Sequence, residues 1–181
     1  MQTKLKRIAA PKVIKNYFLL YYSNDHQRVL QEIYTKAASL LESSKGFYIS
    51  SDIFTQEEQL LYLALAKRGI EWTQFVQKKL LKRELFEVMF SLSQFLGVVE
   101  LSETKTIQKK SVVEDIQSIA KDVNAIFIES FSVESLEDLA TLQTIRQLAQ
   151  TLGIRIEIGI VCSKEWLQKL HALTSYICML S

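Results

Sequence analysis

Residues 125–130 read AIFIES, a run of four apolar residues that ends at Glu129 and Ser130. A short, continuously apolar run of this kind is typical of a strand that is covered on both faces of its sheet. Two more apolar runs follow, at residues 154–161 and 175–180, and an amphipathic helix is predicted before each of them. Strands that alternate with helices predict a mainly parallel sheet with right-handed crossovers.

Helix signals stand on both sides of this first strand. Ser111 and Glu114 form a predicted capping box before it, and Ser135 is the predicted N-cap of the helix after it. Gly153 is expected to end that helix in the left-handed conformation. In the next strand Arg155 and Glu157 alternate with isoleucines, which predicts a partly exposed face or a place near the sheet edge.

In the front of the chain, up to about residue 98, apolar residues recur at helical spacing almost throughout. Residues 47–53 are predicted to be a short extended connection, and Thr55 with Glu58 forms another capping box. Four helices are predicted there, over residues 26–41, 55–67, 70–80 and 82–96. The predicted fold class is α/β, with a helical N-terminal unit in residues 1–96 and a small layered module with a mainly parallel sheet in residues 97–181.

Composition narrows the class of protein. Of the 181 residues, 48% are hydrophobic and 23% are charged, which excludes a disordered or fibrous chain. The longest apolar stretches fall far short of the ~20 residues that cross a bilayer, so no membrane span is predicted. Cys162 and Cys178 lie in predicted strands, where free thiols behave as small buried hydrophobes. This favours a reducing, cytoplasmic location.

The front unit is basic, with fourteen Lys or Arg residues against nine Asp or Glu residues up to Leu96. Its three helices, closed by Gly97 and the β-rich residues 98–101, resemble the winged helix-turn-helix pattern over about residues 54–107. The resemblance implies that the third helix enters the DNA major groove, with Lys82 and Arg83 as its contacts. Protein contact is the other use of such a domain.

The succession VVEL at residues 98–101, AIFIE at 125–129, Leu152-Gly153 and IEIGI at 156–160 resembles a sulfate-transporter and anti-sigma-antagonist (STAS) domain over about residues 97–181. Such domains bind partner proteins without cofactor chemistry, and many are switched by phosphorylation at the start of the helix after the central strand. Ser135 matches that position, and Glu137 or Asp138 would supply a fixed negative charge. The glycine of the family pattern is absent, and N-capping alone also explains Ser135.

Residues 125–179 also resemble the last strands and helices of an EAL-type cyclic-di-nucleotide phosphodiesterase barrel, through LAQTLGI at residues 148–154 and GIV at 159–161. Glu129 would then occupy a strand end, although the earlier barrel strands and their glutamates are missing. The sequence contains no phosphate loop, dinucleotide fingerprint or nucleophile elbow. His26 and His171 are too isolated to form a recognisable metal pair.

Together these patterns predict a non-enzymatic cytoplasmic regulatory protein that acts through protein–protein contacts, with no catalytic residue, cofactor or metal. Its predicted contact residues are Ser135, Glu137 and Asp138. One alternative is a winged-helix DNA-binding transcriptional regulator that uses Lys82 and Arg83, and the other is a degenerate phosphodiesterase-like sensor. The predicted partner is another protein, with DNA as the alternative, and a homodimer is left open.

Overall fold

The computed structural model describes residues 18–41, 46–69, 106–173 and 176–180. Within these ranges it contains five strands and five α-helices. The strands are β1 Phe18–Tyr22, β2 Phe47–Ser50, β3 Ala125–Val133, β4 Arg155–Cys162 and β5 Ile177–Met179. The helices are α1 His26–Ala38, α2 Gln56–Lys67, α3 Val112–Ile119, α4 Leu136–Leu152 and α5 Lys164–Leu173, and a single 3₁₀ turn, Lys109–Ser111, precedes α3.

The five strands form one parallel sheet in the order β2-β3-β4-β1-β5. The predicted α/β class and parallel sheet are therefore confirmed. Strands β1 and β2 come from the front of the chain, so both sides of the boundary predicted at residues 96 and 97 contribute to this sheet. The described residues do not show a separate helical N-terminal unit. The boundary itself lies outside them, and the division into two domains stays a prediction.

Helices cover both faces of the sheet. On one face α1 and α2 pack against the strands, around Tyr21, Val29, Ile33, Phe47, Leu63 and Phe127. On the other face α3, α4 and α5 pack around Leu20, Ile116, Ile126, Ile145, Ile158 and Leu170. Both clusters are buried, which explains why the strands are almost continuously apolar in sequence.

Several predicted helix ends are confirmed, whereas the helices predicted over residues 70–80 and 82–96 lie outside the described residues. Thr55 and Glu58 form the reciprocal capping box of α2, and Gly153 ends α4 with a φ of 64°. The box predicted at Ser111 is absent, because Ser111 belongs to the 3₁₀ turn and makes no side-chain cap bond. Its hydroxyl instead donates to the Asp115 carboxylate at 2.9 Å.

The prediction that β4 has an exposed face or lies near an edge is wrong. β4 lies between β3 and β1, and Glu157 is 0% exposed. The Glu157 carboxylate forms an ion pair with Arg155 and accepts a hydrogen bond from the Tyr21 hydroxyl. Alternating charged and apolar residues here mark a buried ion pair, which periodicity alone does not distinguish from a solvated face.

A β-bulge interrupts the pairing of β3 with β4 beside Glu129. Gly159 of β4 lies against this bulge. A Cβ atom at position 159 would collide with the Glu129 carbonyl oxygen and lie 2.7 Å from Cγ1 of Val29 on α1. Glycine therefore permits the close approach of β4, β3 and α1 at this point. The Cα partners on either side of the bulge are Ile128 with Ile158 and Phe131 with Ile160.

Candidate functional site at the carboxyl edge of the sheet

The carboxyl ends of β2 and β3 flank a crevice, because the chain leaves the two strands on opposite faces of the sheet. After β2 it enters α2, which packs on the α1 face, and after β3 it enters α4 on the other face. Ligands of open α/β sheets bind where neighbouring strands diverge in this way. A cavity of about 270 Å³ occupies the crevice.

This cavity, called here the β2–β3 cavity, combines an apolar wall with several polar groups. Its apolar lining consists of Ile53, Ile107, Val112, Ile128 and Phe131. Its polar lining consists of Asp52, Gln108, Lys109, Ser130 and Ser132. Small-molecule sites have this general make-up, with apolar contact area and a few polar groups that fix the orientation of the ligand.

Lys109 supplies positive charge to the β2–β3 cavity. Its ammonium group lies 2.9 Å from the Asp138 carboxylate, donates to the Ser132 hydroxyl at 3.1 Å and sits 5.5 Å from the centre of the Phe131 ring. Burial acts to raise the pKa of Asp138, but the Lys109 ammonium and the Glu134 backbone N–H outweigh it, so this pKa is lowered. Asp138 is therefore the charged partner that holds Lys109 at the cavity.

The three predicted contact residues have different environments. Ser135 is the N-cap of α4 and accepts from the Asp138 backbone N–H at 3.2 Å. Asp138 is 8% exposed and faces Lys109, whereas Glu137 lies exposed in the first turn of the helix. A contact through Ser135, Glu137 and Asp138 stays a prediction. Lys82 and Arg83, the predicted DNA contacts, lie outside the described residues.

Glu129 lies at the bulge in β3, on the α1 face of the sheet and thus on the opposite face from α3. It is 1% exposed. The Tyr34 hydroxyl donates to its Oε1 at 2.5 Å, while Oε2 is buried without a hydrogen-bond partner of normal geometry among the described residues. Burial raises the pKa of Glu129 to about 7, and the Asp52 charge adds to the rise, while Tyr34 and the nearby Ser51 hydroxyl limit it.

Tyr34 connects Glu129 to both helices of this face. It is 0% exposed, and burial, followed by the adjacent Glu129 carboxylate, raises its pKa. The rings of Phe54 and Tyr62 each lie 5.9 Å from the Tyr34 ring in edge-on geometry. Gln59 of α2 is buried nearby and donates to a β2 carbonyl oxygen at 3.1 Å. The Tyr34 hydroxyl is thus a fixed donor to the carboxylate.

The connection from β1 to α1 contains three residues, Ser23, Asn24 and Asp25. A phosphate loop joins a strand to a helix through a glycine-rich segment that ends in Lys and Ser or Thr. This connection has neither glycine nor lysine. The Asp25 carboxylate also caps α1 by accepting from the Gln27 N–H at 3.1 Å, which places negative charge where a helix would otherwise attract an anion. His26 follows, and burial lowers its pKa.

Sequence reasoning missed Asp52 and Lys109. Lys109 lies in the polar stretch of residues 102–110, which predicts a wing, a turn or a short linker, and Asp52 lies within the predicted extended connection of residues 47–53. Lysine and aspartate are common in solvated loops, so neither residue has a local signal that indicates a cavity. Only the parallel pairing of β2 with β3 brings the two segments together.

Comparison with known proteins finds similar structures but no similar sequences. No family model matches the chain, and no curated protein matches it. Solved structures do match, among them one described as an ATPase domain, with a TM-score of 0.64 and 10% sequence identity. The match covers 99% of this chain and 81% of that chain. At this identity the likeness shows the fold alone.

This likeness contradicts the predicted function. A non-enzymatic regulatory protein, with a DNA-binding regulator or a phosphodiesterase-like sensor as alternatives, was inferred from separate halves of the chain, whereas the fold of the whole chain resembles that of a solved ATPase domain. The prediction that the chain is not an enzyme is contradicted on the same ground. The physical reason is that β1 and β2 complete the sheet that the tail seemed to form alone.

The STAS and winged-helix resemblances and the cytoplasmic location are not tested by these comparisons and stay predictions. Across residues 18–41, 46–69, 106–173 and 176–180, no helix combines the length and apolar character that a membrane crossing requires. This agrees with the predicted lack of a membrane span.

Proposed function

We propose that this chain is a nucleotide-binding domain of the ATPase type whose ligand occupies the β2–β3 cavity. The observation that carries the proposal is the position of the cavity. It lies at a divergence point of the sheet, at the carboxyl ends of the strands, in a fold that matches an ATPase domain. Both the fold and the location thus favour a ligand of this class.

The cavity lining offers chemistry for each part of a nucleotide. Ile107, Val112 and Phe131 supply apolar surface against which a base or sugar packs. Lys109 and the hydroxyls of Ser130 and Ser132 are donors suited to phosphate oxygens. Asp52 adds a carboxylate of the kind that holds Mg²⁺ together with substrate phosphates.

The start of α1 is not suited to binding phosphates. The Asp25 carboxylate occupies that helix end, and the three-residue connection lacks the glycines that let a backbone wrap a phosphate. A ligand phosphate in the β2–β3 cavity would instead compete with Asp138 for the Lys109 ammonium. We therefore expect nucleotide affinity to depend on the charge at both positions.

Calorimetric titration with ATP tests the proposal. Lys109→Gln removes a charge-assisted hydrogen bond and should weaken binding about 10-fold. Asp138→Asn removes the competing charge and should strengthen binding about 3-fold. In the unaltered chain the Glu134 N–H donates to Asp138 Oδ2 at 2.8 Å, and the asparagine oxygen can still accept this hydrogen bond. The matched control is Lys169→Gln, because Lys169 is a partly exposed lysine that pairs with Glu165 on α5.

The control should bind ATP like the unaltered chain. Absence of ATP binding, or equal weakening in the Lys109 and Lys169 variants, would contradict the proposal. Phosphate release in the presence of Mg²⁺, measured on the same proteins, reports separately whether the bound nucleotide is hydrolysed.

A further inference from the structure

The turn after β2 is a wall shared by the β2–β3 cavity and Glu129. Asp52 and Ile53 line the cavity, while the Ser51 hydroxyl lies near the Glu129 carboxylate. The same hydroxyl accepts from the backbone N–H groups of Ile53 at 3.2 Å and Phe54 at 2.9 Å. One short segment, closed by its own hydrogen bonds, therefore contacts both sites.

This turn is also tied to the opposite wall of the cavity. The Ile107 backbone N–H donates to the Ser50 hydroxyl at 3.0 Å, and the Thr106 hydroxyl donates to the Ser51 carbonyl oxygen at 3.4 Å. The segment of residues 106–108 leads directly into Lys109. Because of these hydrogen bonds, a displacement of residues 106–108 or a change of charge beside them affects the turn that faces Glu129.

We propose that the turn after β2 couples the cavity to the Tyr34–Glu129 pair, so that an anionic ligand and a proton on Glu129 favour each other. The Asp52 charge already raises the pKa of Glu129, and a ligand phosphate near Asp52 adds negative charge that acts in the same direction. Because linkage is reciprocal, protonation of Glu129 strengthens binding of the anion. The inference rests on the proposed function for the identity of the ligand.

The other groups near Glu129 keep a constant charge around neutral pH. Burial raises the pKa of Tyr34 and of Tyr62, so both stay protonated, and burial lowers the pKa of His26, which favours its neutral form. Asp52 and the ligand are then the charges that act on Glu129. The titratable groups that interact with Glu129 or with its partner Tyr34 are Tyr34 and His26 of α1, Tyr62 of α2 and Asp52 after β2. The ion pair of Arg155 with Glu157 lies on the neighbouring strand β4.

A titration without ligand tests the coupling directly. The side-chain carboxyl carbon of Glu129, assigned by its loss in Glu129→Gln, should titrate in a ¹³C NMR experiment with a midpoint of about 7. Asp52→Asn should lower this midpoint by roughly 0.5 pH unit, because it removes a neighbouring negative charge. Asp122→Asn is the control, since Asp122 precedes β3 at the other end of the sheet. An unchanged midpoint in the Asp52 variant overturns the proposal.

A second measurement follows the ligand. ATP is titrated at pH 7 with EDTA, so that no divalent cation neutralises its charge, in two buffers with different protonation enthalpies. The unaltered chain should take up a larger fraction of a proton per ATP than Glu129→Gln does. Equal uptake by the two proteins overturns the coupling while the proposed function stands. If ATP does not bind, the proposed function fails, and the ligand-free titration still decides whether Asp52 acts on Glu129.

Discussion

Two buried tyrosine–glutamate pairs lie on the α1 face of the sheet, and they differ in whether a cation joins them. Glu157 accepts from Tyr21 and also pairs with Arg155. Glu129 accepts from Tyr34, and in the described part of the chain no basic side chain pairs with it. The two carboxylates are almost equally buried, at 0% and 1% exposure.

The difference shows what hydrogen bonds from neutral donors achieve for a buried carboxylate. Tyr34 donates to Glu129, yet burial still raises the pKa of Glu129 to about 7. Hydrogen bonding by neutral hydroxyl groups does not offset the loss of water around a charge, whereas an ion pair supplies opposite charge. We therefore interpret Glu157 as half of a structural ion pair with Arg155, and Glu129 as a group that exchanges a proton near neutral pH.

The largest expected effect comes from removing the cation. Arg155→Leu leaves the Glu157 charge buried without its partner and should lower the free energy of unfolding by about 3–5 kcal/mol at pH 7. Urea denaturation measures this loss. Arg146→Leu is the matched control, because Arg146 lies over the partly exposed Tyr176 ring at 4.5 Å and should contribute under about 1 kcal/mol. Equal losses in the two variants would contradict the distinction between the pairs.

The next effect is an opposite response of the two glutamates to the same substitution. Because folding raises the pKa of Glu129 from 4.5 to about 7, the folded state binds the proton more tightly, and stability falls as pH rises through this window. The rise in the pKa of Glu129 corresponds to a loss of at most about 3 kcal/mol in the free energy of unfolding, and this loss is complete above pH 7. Glu129→Gln should therefore stabilise the fold at pH 8 and have little effect at pH 4.5.

Glu157→Gln should instead destabilise the fold at pH 8, because it leaves the Arg155 guanidinium without its partner. Thermal unfolding of both variants at pH 4.5 and pH 8 provides the measurement. Destabilisation of the Glu129 variant at pH 8 would contradict the raised pKa of Glu129, because it would mean that the ionised Glu129 carboxylate stabilises the fold.

A smaller effect is expected when each tyrosine hydroxyl is removed. Tyr34→Phe and Tyr21→Phe each delete one buried hydrogen bond to a carboxyl group and should cost about 1–2 kcal/mol. Only Tyr34→Phe should also move the titration midpoint of Glu129, upward, because it removes a donor that favours the ionised form. The same ¹³C titration reads this out, and a midpoint that does not rise would show that Tyr34 only fills space.

The smallest effect is expected at the N-cap of α4, which lies away from both tyrosine–glutamate pairs and serves as a reference for the other changes in stability. Ser135→Ala removes the hydroxyl that accepts from the Asp138 N–H at the start of α4, and it should cost about 1 kcal/mol at any pH from 5 to 8. Ser135→Asp keeps an N-cap acceptor and should recover most of this loss. A strong pH dependence of the Ser135→Ala effect would indicate that the cap is linked to the Lys109–Asp138 ion pair.

The sequence predicted the second half of the fold better than the first. The strand at residues 125–130 and the glycine that ends α4 have strong local signals, and the structure confirms both. The short runs FLLYY and FYIS of β1 and β2 are apolar without alternation, so periodicity does not separate a buried strand from part of a helix. β1 finds its partner β4 more than 130 residues away, which no local pattern reveals.

The candidate site was less predictable for a related reason. Glu129 was recognised as a residue at a strand end, but the pairing with Tyr34 joins residues 95 positions apart. Asp52 and Lys109 meet at the β2–β3 cavity only after β2 and β3 have paired. The candidate site depends on contacts between distant segments, and the local sequence around each residue carries no signal of them.

The bulge in β3 reverses the alternation of side chains between the two faces of the sheet. Before it, odd-numbered residues such as Phe127 point toward α1 and α2, and after it Phe131 and Val133, also odd-numbered, belong to the core on the opposite face. Glu129 is the last residue before the bulge whose side chain lies on the α1 face. Uninterrupted alternation over residues 125–133 would send Phe131 and Val133 toward α1 and α2, so the one extra residue at the bulge keeps these two side chains in the core beside α3 and α4.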